Sequence, residues 1–261
     1  NAKHTKMLKD AVNIPVFIGH NIFSPEDAEK MLAEGNADFV ALGRSQLAEP
    51  AWAKKAKEGR ASDIKPCINC LIGCIDRGML SHTPIHCTVN PSLYRFECKP
   101  VEKAETRKQV AVVGAGPAGC EAALTASKRG HQVTIYEKRC IGGAMIEASK
   151  PENKANIKRL IHYYEDHIMH DPNITLVKEE VEYETLVHSG YDAVIIAVGG
   201  KTRILNVPGI EKNSVIYASD YLNGSTAVTG NTVVVIGGGI TGAETALELN
   251  AEGKKVTIVE M

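Results

Sequence analysis

The chain has 261 residues, and its apolar fraction of 44% is ordinary for a folded protein with one large domain or two smaller ones. Its 30 Lys and Arg balance 31 Asp and Glu without a long block of either sign, which argues against nucleic acid or an anionic membrane surface as a partner. No apolar run approaches the roughly 20 residues of a transmembrane helix, and seven cysteines, an odd number, suit a reducing compartment, so we expect a cytoplasmic protein.

Residues 1–60 alternate between predicted strands and a predicted helix. Val16-Phe17-Ile18-Gly19 predicts one strand, and Phe39-Val40-Ala41-Leu42-Gly43 predicts a second. Between them, Ser24 followed by Pro25 is typical of a helix start, and we expect this helix to reach about Glu34. The region therefore predicts a strand, a helix and a strand of an α/β fold.

Four cysteines follow in residues 61–106, a stretch rich in Cys, Pro and polar residues, where we expect loops folded around something other than a hydrophobic core. Cys67-x-x-Cys70-x-x-x-Cys74 is followed further along the chain by Cys87. Thiolates suit an iron–sulphur cluster or zinc. Three close cysteines with one distant ligand favour a four-iron cluster, because zinc sites usually present paired cysteines separated by a long spacer. The rival fourth ligands are Cys98, His82 and His86.

A glycine motif opens the first of two similar units. Gly114-x-Gly116-x-x-Gly119 follows an apolar strand and begins an Ala-rich helix. The first glycine permits a tight turn, the second lets the backbone approach a pyrophosphate, and the third lets helix pack on strand. Glu137 ends the next predicted strand, where it can accept a hydrogen bond from a ribose hydroxyl. We expect a dinucleotide site, with a purely structural turn as the alternative.

The same motif returns as Gly237-x-Gly239-x-x-Gly242, with Glu260 at the end of its second strand. A carboxylate there favours NADH over NADPH, because it can bond the 2′-hydroxyl of NAD but would repel the 2′-phosphate of NADP. The alternative is a domain that keeps the fold but binds no hydride donor.

Taken in order, these motifs resemble the iron–sulphur flavoenzymes whose barrel is related to old yellow enzyme, such as 2,4-dienoyl-CoA reductase, 2-enoate reductase and trimethylamine dehydrogenase. The resemblance implies an α/β chain whose two ends lie within larger domains. Residues 1–60 would be the C-terminal end of a (β/α)₈ barrel and 61–106 an iron–sulphur segment with a linker. Residues 107–228 would be the first part of a Rossmann-like FAD domain, and 229–261 the start of an inserted NAD(P)H-binding Rossmann-like domain.

The resemblance also implies an FMN phosphate site, because the loops after the last two strands of such barrels bind phosphate. Its residues would be Gly19, His20, Asn21, Gly43 and Arg44. His20 stands where relatives often have Gly. For the cluster, the resemblance prefers Cys87 as fourth ligand, because it opens Cys87-Thr88-Val89-Asn90-Pro91.

In the FAD half, the resemblance assigns two further groups of residues. Gly142 and Gly143 form a Gly-Gly pair after Glu137, and Ala197 and Gly199 form a strand end in which Val198 replaces the usual Thr. Cys140 lacks a C-x-x-C partner, so we expect a small packed side chain there rather than a redox-active thiol.

The implied activity is electron transfer from NADH through FAD and a 4Fe-4S cluster to FMN, with reduction of an activated C=C bond in a small-molecule substrate. The catalytic residues for that substrate would precede Asn1, so none is named in this chain, and homo-oligomerisation of the full-length protein stays open. One alternative is an amine dehydrogenase that exports electrons through the cluster. Another is an inactive fragment that binds FAD at most.

Overall fold

The structure, a computed structural model, describes residues 2–93 and 101–260. In that part of the chain the strands form three parallel sheets, so the fold is α/β, as predicted. No helix among these residues has the length and apolar character needed to cross a membrane. The strands are β1 Phe17–Ile18, β2 Phe39–Val40, β3 Gln109–Val113, β4 Gln132–Tyr136, β5 Ile174–Val177, β6 Ala193–Ile196, β7 Thr232–Ile236 and β8 Lys255–Val259. The helices are α1 Ala2–Ala11, α2 Pro25–Ala33, α3 Arg44–Ala48, α4 Trp52–Lys57, α5 Pro117–Lys128, α6 Met145–Ala148, α7 Ala155–His170, α8 Tyr183–His188, α9 Ala218–Leu222 and α10 Ile240–Ala251.

The helix predicted after Ser24 is confirmed as α2. The Ser24 hydroxyl accepts a hydrogen bond from the Asp27 N–H, and the Asp27 carboxylate accepts one from the Ser24 N–H, each at 3.1 Å. This reciprocal pair satisfies two of the N–H groups that a helix start leaves without a partner. The sequence pattern therefore fixes where α2 begins.

β1 precedes α2 in the sequence and β2 follows it. The two strands pair in parallel, and both are shorter than predicted. β1 ends at Ile18 because His20 and Asn21 adopt positive φ angles of 74° and 59°, which lie outside the extended region. The chain consequently turns sharply at the carboxyl end of the strand.

The segment 61–93 is more ordered than its composition predicts. It contains a 3₁₀ turn over Ala61–Asp63 and a nine-residue helix, Ile72–Leu80, with π-type hydrogen bonds. Four apolar side chains of the segment are buried: Ile64, Pro66, Cys67 and Val89. The expectation of loops without a hydrophobic core is therefore wrong at these positions, whose irregular spacing has no period that a sequence could reveal.

β3 to β6 form a sheet in the order β5-β4-β3-β6, with α5 and α7 packed against it. With β3 taken as the first strand, β4, β5 and β6 occupy the places of strands 2, 3 and 4 in the order 3-2-1-4-5-6 of nucleotide-binding sheets. Val112, Val133 and Ile135 have no exposed surface, which explains the unbroken apolar runs in β3 and β4.

β7, α10 and β8 repeat the arrangement of β3, α5 and β4. β7 and β8 pair from Thr232 opposite Lys255, as β3 and β4 pair from Gln109 opposite Gln132. The internal repeat predicted from the sequence is confirmed as two βαβ units. α9 packs on the second unit and contributes Tyr221 and Leu222 to its core.

The cysteine segment and the first βαβ unit share one hydrophobic core. Ala48 and Cys67 belong to the same buried cluster as Leu160 of α7. Arg159 of α7 also pairs with Asp27 of α2, at 3.2 Å between Nη1 and Oδ2. The predicted iron–sulphur segment is thereby held against the predicted FAD unit.

Candidate functional site

The glycine turn after β3 is shaped by close backbone packing. Gly114 has φ of 98°, and a Cβ there would lie 2.5 Å from the Ala197 carbonyl oxygen. A Cβ on Gly119 would lie 1.8 Å from the Gly114 carbonyl oxygen. A larger residue at Gly114 or Gly119 would therefore push apart the turn, α5 and the end of β6, whatever the turn binds.

Gly116 differs from these two glycines. Its φ is an ordinary −71°, and the nearest atom to a Cβ there would be the Gly143 Cα at 3.8 Å. A Cβ on Gly199, whose φ is 73°, would meet no atom within 4 Å. Packing does not require glycine at Gly116, so its bare backbone is available for close approach by another molecule.

The predicted Gly-Gly pair lies over the first turn. The Gly142 N–H donates to the Ala115 carbonyl at 2.9 Å, and a Cβ on Gly143 would lie 2.8 Å from the Gly116 Cα. The structure thus brings Gly142 and Gly143, the glycine turn and Ala197 together at the carboxyl end of the first sheet.

Glu137 directly follows the last residue of β4, beside this turn. Its carboxylate accepts hydrogen bonds from the backbone N–H groups of Ala115 and Arg139, each at 2.8 Å. Each carboxylate oxygen has a second lone pair, so these bonds orient Glu137 and leave it able to accept from a hydroxyl group.

The second glycine turn has the same construction. A Cβ on Gly242 would lie 1.9 Å from the Gly237 carbonyl oxygen, whereas a Cβ on Gly239 would meet nothing within 4 Å. Glu260 accepts from the Gly238 N–H, in the manner of Glu137 and Ala115. The four predicted residues Gly237, Gly239, Gly242 and Glu260 therefore come together at one end of β7 and β8.

The four predicted cluster ligands line one small cavity, together with Arg44 and His86. Cys67 is buried, whereas Cys70, Cys74 and Cys87 are partly exposed. Among the described residues, no three thiol, imidazole or carboxylate groups come close enough to hold a single metal ion. The four cysteines share the lining of one cavity.

Several neighbouring groups act on the Cys67 thiol in addition to its burial. Burial, with smaller contributions from Cys87 and Cys70, raises the pKa of Cys67, while the backbone N–H of Asn69, 3.4 Å from Sγ, and the charge of Arg44 act in the opposite direction. Cys70 Sγ lies 3.2 Å from the Thr88 hydroxyl. Hydrogen bonds to cysteine sulphurs, such as that from the Asn69 N–H, are a recognised means of tuning a bound cluster.

The rival ligands differ in position. His86 lines the cavity and His82 does not, while Cys98 lies outside the described residues. Cys140 is exposed, so the expectation that it is packed is wrong. It lies in the loop between β4 and α6, and the sequence carries no signal for the burial of a loop residue.

The predicted FMN phosphate residues lie at the carboxyl ends of β1 and β2. Gly19, His20 and Asn21 follow β1, and Gly43 immediately precedes Arg44, the first residue of α3. Arg44 donates through Nη2 to Asn21 Oδ1 at 2.9 Å. His20 adopts a positive φ of 74°, a conformation that glycine would adopt without steric cost.

Sequence reasoning missed Asn69. The Asn69 Oδ1 atom accepts a hydrogen bond from Arg44 Nη1, so this residue joins the predicted phosphate site to the cysteine segment. Its place between Cys67 and Cys70 was the only available signal, and nothing in the sequence shows that Arg44 would lie beside it.

Two family models match the chain. Residues 108–261 match the model described as pyridine nucleotide-disulphide oxidoreductase. Residues 1–63 match the NADH:flavin oxidoreductase / NADH oxidase family. The predicted domain boundaries at residues 60 and 106 lie near these limits and remain predictions.

Individual proteins are similar along the whole chain. An NADH oxidase of Thermoanaerobacter brockii is 44% identical over 259 residues, which are 97% of this chain and 40% of the relative. A cinnamate reductase of Clostridium sporogenes is 34% identical over 260 residues, or 99% of this chain and 38% of the relative. The solved structure of a 2-naphthoyl-CoA reductase with 2-naphthoyl-CoA has a TM-score of 0.91 and 33% identity, covering 98% of this chain and 39% of that one. The chain thus spans about two fifths of the length of these proteins.

A barrel end, a cysteine segment and two βαβ units with glycine turns define a class of flavin- and nucleotide-dependent oxidoreductases. The chain belongs to the NADH:flavin oxidoreductase family related to old yellow enzyme, and residues 108–261 form its pyridine nucleotide-disulphide oxidoreductase part. The resemblance drawn from the sequence is thereby confirmed.

Proposed function

We propose that this chain is the electron-carrying part of an NADH-dependent flavin oxidoreductase that reduces an activated C=C bond. The observation that carries the proposal is the cavity lined by Cys67, Cys70, Cys74 and Cys87, whose wall also contains Arg44 of the predicted FMN site. The same segment packs on the first βαβ unit. Sites for two flavins would therefore lie on either side of a metal-binding segment.

The first turn fits FAD. Gly116 exposes backbone without a steric need for glycine, and Gly199, whose φ is 73°, has open space beside it, as close approach of a pyrophosphate requires. α5 begins at Pro117 beside the turn, and a helix start favours negative charge. Glu137, oriented by Ala115 and Arg139, would accept from the ribose.

The second turn fits NADH. Gly239 has open space around it, and Glu260 is oriented by the Gly238 N–H. A carboxylate in this position favours the 2′-hydroxyl of NADH over the 2′-phosphate of NADPH. Both the motif and its geometry argue against a domain that keeps only the fold.

The cysteine cavity fits a 4Fe-4S cluster better than zinc. Cys67, Cys70 and Cys74 lie within eight residues and Cys87 is distant in sequence, whereas zinc sites usually present paired cysteines separated by a long spacer. All four thiols line one cavity, and four thiolates are the ligand set of a 4Fe-4S cluster.

The bound groups would supply hydride exchange with NADH at FAD, one-electron transfer by the cluster, and hydride delivery to the C=C bond at FMN. Overall, NADH and one proton would convert the C=C bond to a saturated bond and yield NAD⁺. Arg44 would hold the FMN phosphate by charge-assisted hydrogen bonds. The names of the cinnamate and 2-naphthoyl-CoA reductases support an unsaturated acid or thioester as substrate.

The test is to mix the native protein, purified without oxygen, with NADH and an α,β-unsaturated carboxylate or thioester. We expect one saturated product for each NADH oxidised. An amine dehydrogenase would instead leave NADH unchanged, and its flavin would be bleached by a secondary or tertiary amine. An inactive FAD-binding chain would do neither, and either of these results would overturn the proposal.

A further inference from the structure

Arg44 is held from two sides by asparagine side chains. Its Nη2 donates to Asn21 Oδ1 at 2.9 Å, and its Nη1 donates to Asn69 Oδ1. Its guanidinium also lies 5.8 Å from the centre of the Phe23 ring, within the range of a cation–π contact. These contacts fix a long side chain that would otherwise sample many rotamers.

The two asparagines belong to different parts of the chain. Asn21 follows β1 in the predicted phosphate loop, and Asn69 lies between the predicted cluster ligands Cys67 and Cys70. Both have positive φ, 59° and 56°, a conformation that asparagine tolerates better than most residues. Arg44 therefore connects two strained loops.

Asn69 contacts both sides of this connection. Its side chain accepts from Arg44, while its backbone N–H donates to Cys67 Sγ at 3.4 Å. The position of Arg44 and the conformation of the cysteine loop are consequently linked through one residue.

Arg44 retains donors for an anion. A guanidinium has five N–H groups, and the asparagines take one on each Nη atom. The remaining three, on Nε and the two Nη atoms, are sufficient for a phosphate group. The asparagines orient the guanidinium without using up its capacity to bind phosphate.

We propose that Asn69 is a positioning residue that couples FMN phosphate binding at Arg44 to the loop of the cluster ligand Cys67. The inference rests on the FMN and cluster sites proposed above. A plain turn residue at position 69 would need only to tolerate positive φ, whereas a positioning residue must also present an acceptor to Arg44.

Asn69→Gly separates these roles, because glycine keeps the backbone conformation and removes the acceptor. In the native protein after FMN removal, with iron content measured in parallel, we expect FMN to bind roughly fivefold more weakly. A fivefold loss of affinity lies within the free-energy cost of immobilising one long side chain on binding. Iron content should stay at the wild-type level, because the backbone N–H to Cys67 is retained.

Asn69→Asp provides the rescue. It keeps an oxygen for Arg44 and also tolerates positive φ. Its charge also repels the phosphate, so FMN affinity should return to within about twofold of wild type when it is measured at about 0.5 M salt, which screens that repulsion. Its negative charge beside Cys67 should shift the cluster midpoint potential, followed by electron paramagnetic resonance during a redox titration, to more negative values. Loss of FMN affinity in Asn69→Gly together with its recovery in Asn69→Asp would not follow from a purely structural role, whereas the potential shift reports only the new charge.

His82→Gly is the matched control. His82 also has positive φ, 49°, lies in the same segment, and does not line the cysteine cavity. We expect its FMN affinity to equal that of wild type. Wild-type affinity in Asn69→Gly, or an equal loss in His82→Gly, would overturn the coupling. If the unmodified protein bound no FMN, the proposed function itself would fail.

Discussion

At the scale of single residues, the glycines of the two motifs divide into two kinds. Gly119 and Gly242 are required by packing, because a Cβ would meet a carbonyl oxygen at under 2 Å. Gly116 and Gly239 have room for a methyl group and ordinary φ. The first kind maintains the fold, and the second is free to serve a ligand.

This division predicts different outcomes for two alanine variants. Gly119→Ala should destabilise the protein by on the order of 3 kcal/mol, because α5 must move away from the turn. Gly116→Ala should change the free energy of unfolding by less than about 0.5 kcal/mol but weaken FAD binding by about tenfold, by blocking the pyrophosphate. Thermal unfolding and FAD content after gel filtration measure the two effects. A fully FAD-loaded Gly116→Ala protein with wild-type affinity would contradict the assignment.

The choice of the fourth cluster ligand can be tested on neighbouring residues. We expect Cys87→Ser to lose most of the bound iron and sulphide, because it removes a thiolate from the cavity. His86→Ala, which alters the same cavity wall, should retain both. Iron retention in Cys87→Ser combined with loss in His86→Ala would reverse the assignment.

At the scale of elements, Asp27 links the start of α2 to α7. Its partial burial raises the pKa of the carboxyl, but the hydrogen bond and charge of Arg159, with hydrogen bonds from Ser24 and Phe23, outweigh burial and hold the pKa below its ordinary value. The folded state therefore favours ionised Asp27. Its contribution to stability is present above the ordinary pKa of about 3.9 and is lost as the pH falls through the lowered value.

Asp27→Asn should accordingly lower the free energy of unfolding by about 0.5 kcal/mol at pH 7, as for a partly exposed ion pair. Below the lowered pKa of Asp27 the difference should disappear, because the wild-type carboxyl is then protonated as well. Urea denaturation across this pH range measures it. In an Arg159→Gln background the effect should shrink, and an unchanged effect would exclude the pair as its source.

The two βαβ units offer a matched comparison. Gly239→Ala, in the turn before α10, should raise the KM for NADH about tenfold, because the added methyl group would occupy the space that the pyrophosphate of NADH needs. FAD content should stay unchanged, because FAD is the proposed ligand of the other βαβ unit. Steady-state kinetics with varied NADH tests this. A loss of FAD instead would mean that the ligands of the two units are not those proposed.

Elements with regular patterns could be predicted from the sequence, and irregular ones could not. The Ser24 cap, the glycine motifs and the repeat are local in sequence, so they predicted α2 and both βαβ units. The helix Ile72–Leu80 contains two glycines and has no clear period, so it was missed. The Arg44–Asn69 contact joins distant segments, and only the folded chain brings such residues together.

At the scale of the whole molecule, the cysteine segment and the first βαβ unit are joined by partly buried polar contacts as well as by their shared core. Glu121 of α5 accepts from Lys65, two residues before Cys67, and from the Tyr164 hydroxyl at 2.8 Å. Burial, followed by the charge of Glu121, raises the pKa of Tyr164, so its hydroxyl stays protonated and donates. The predicted cluster and FAD sites are therefore fixed relative to each other, as electron transfer between them requires. The cytoplasmic location and a homo-oligomer remain predictions.

The central claim is that electrons from NADH pass through FAD to a cluster held by the four cysteines. Anaerobic rapid mixing of the native protein with NADH, followed by absorbance and freeze-quench electron paramagnetic resonance, tests it most directly. We predict bleaching of flavin absorbance first and then the signal of a reduced 4Fe-4S cluster, with the cluster signal absent in Cys87→Ser while flavin still bleaches. Flavin bleaching without a cluster signal in the unmodified protein, or a protein containing zinc instead of iron, would contradict the account.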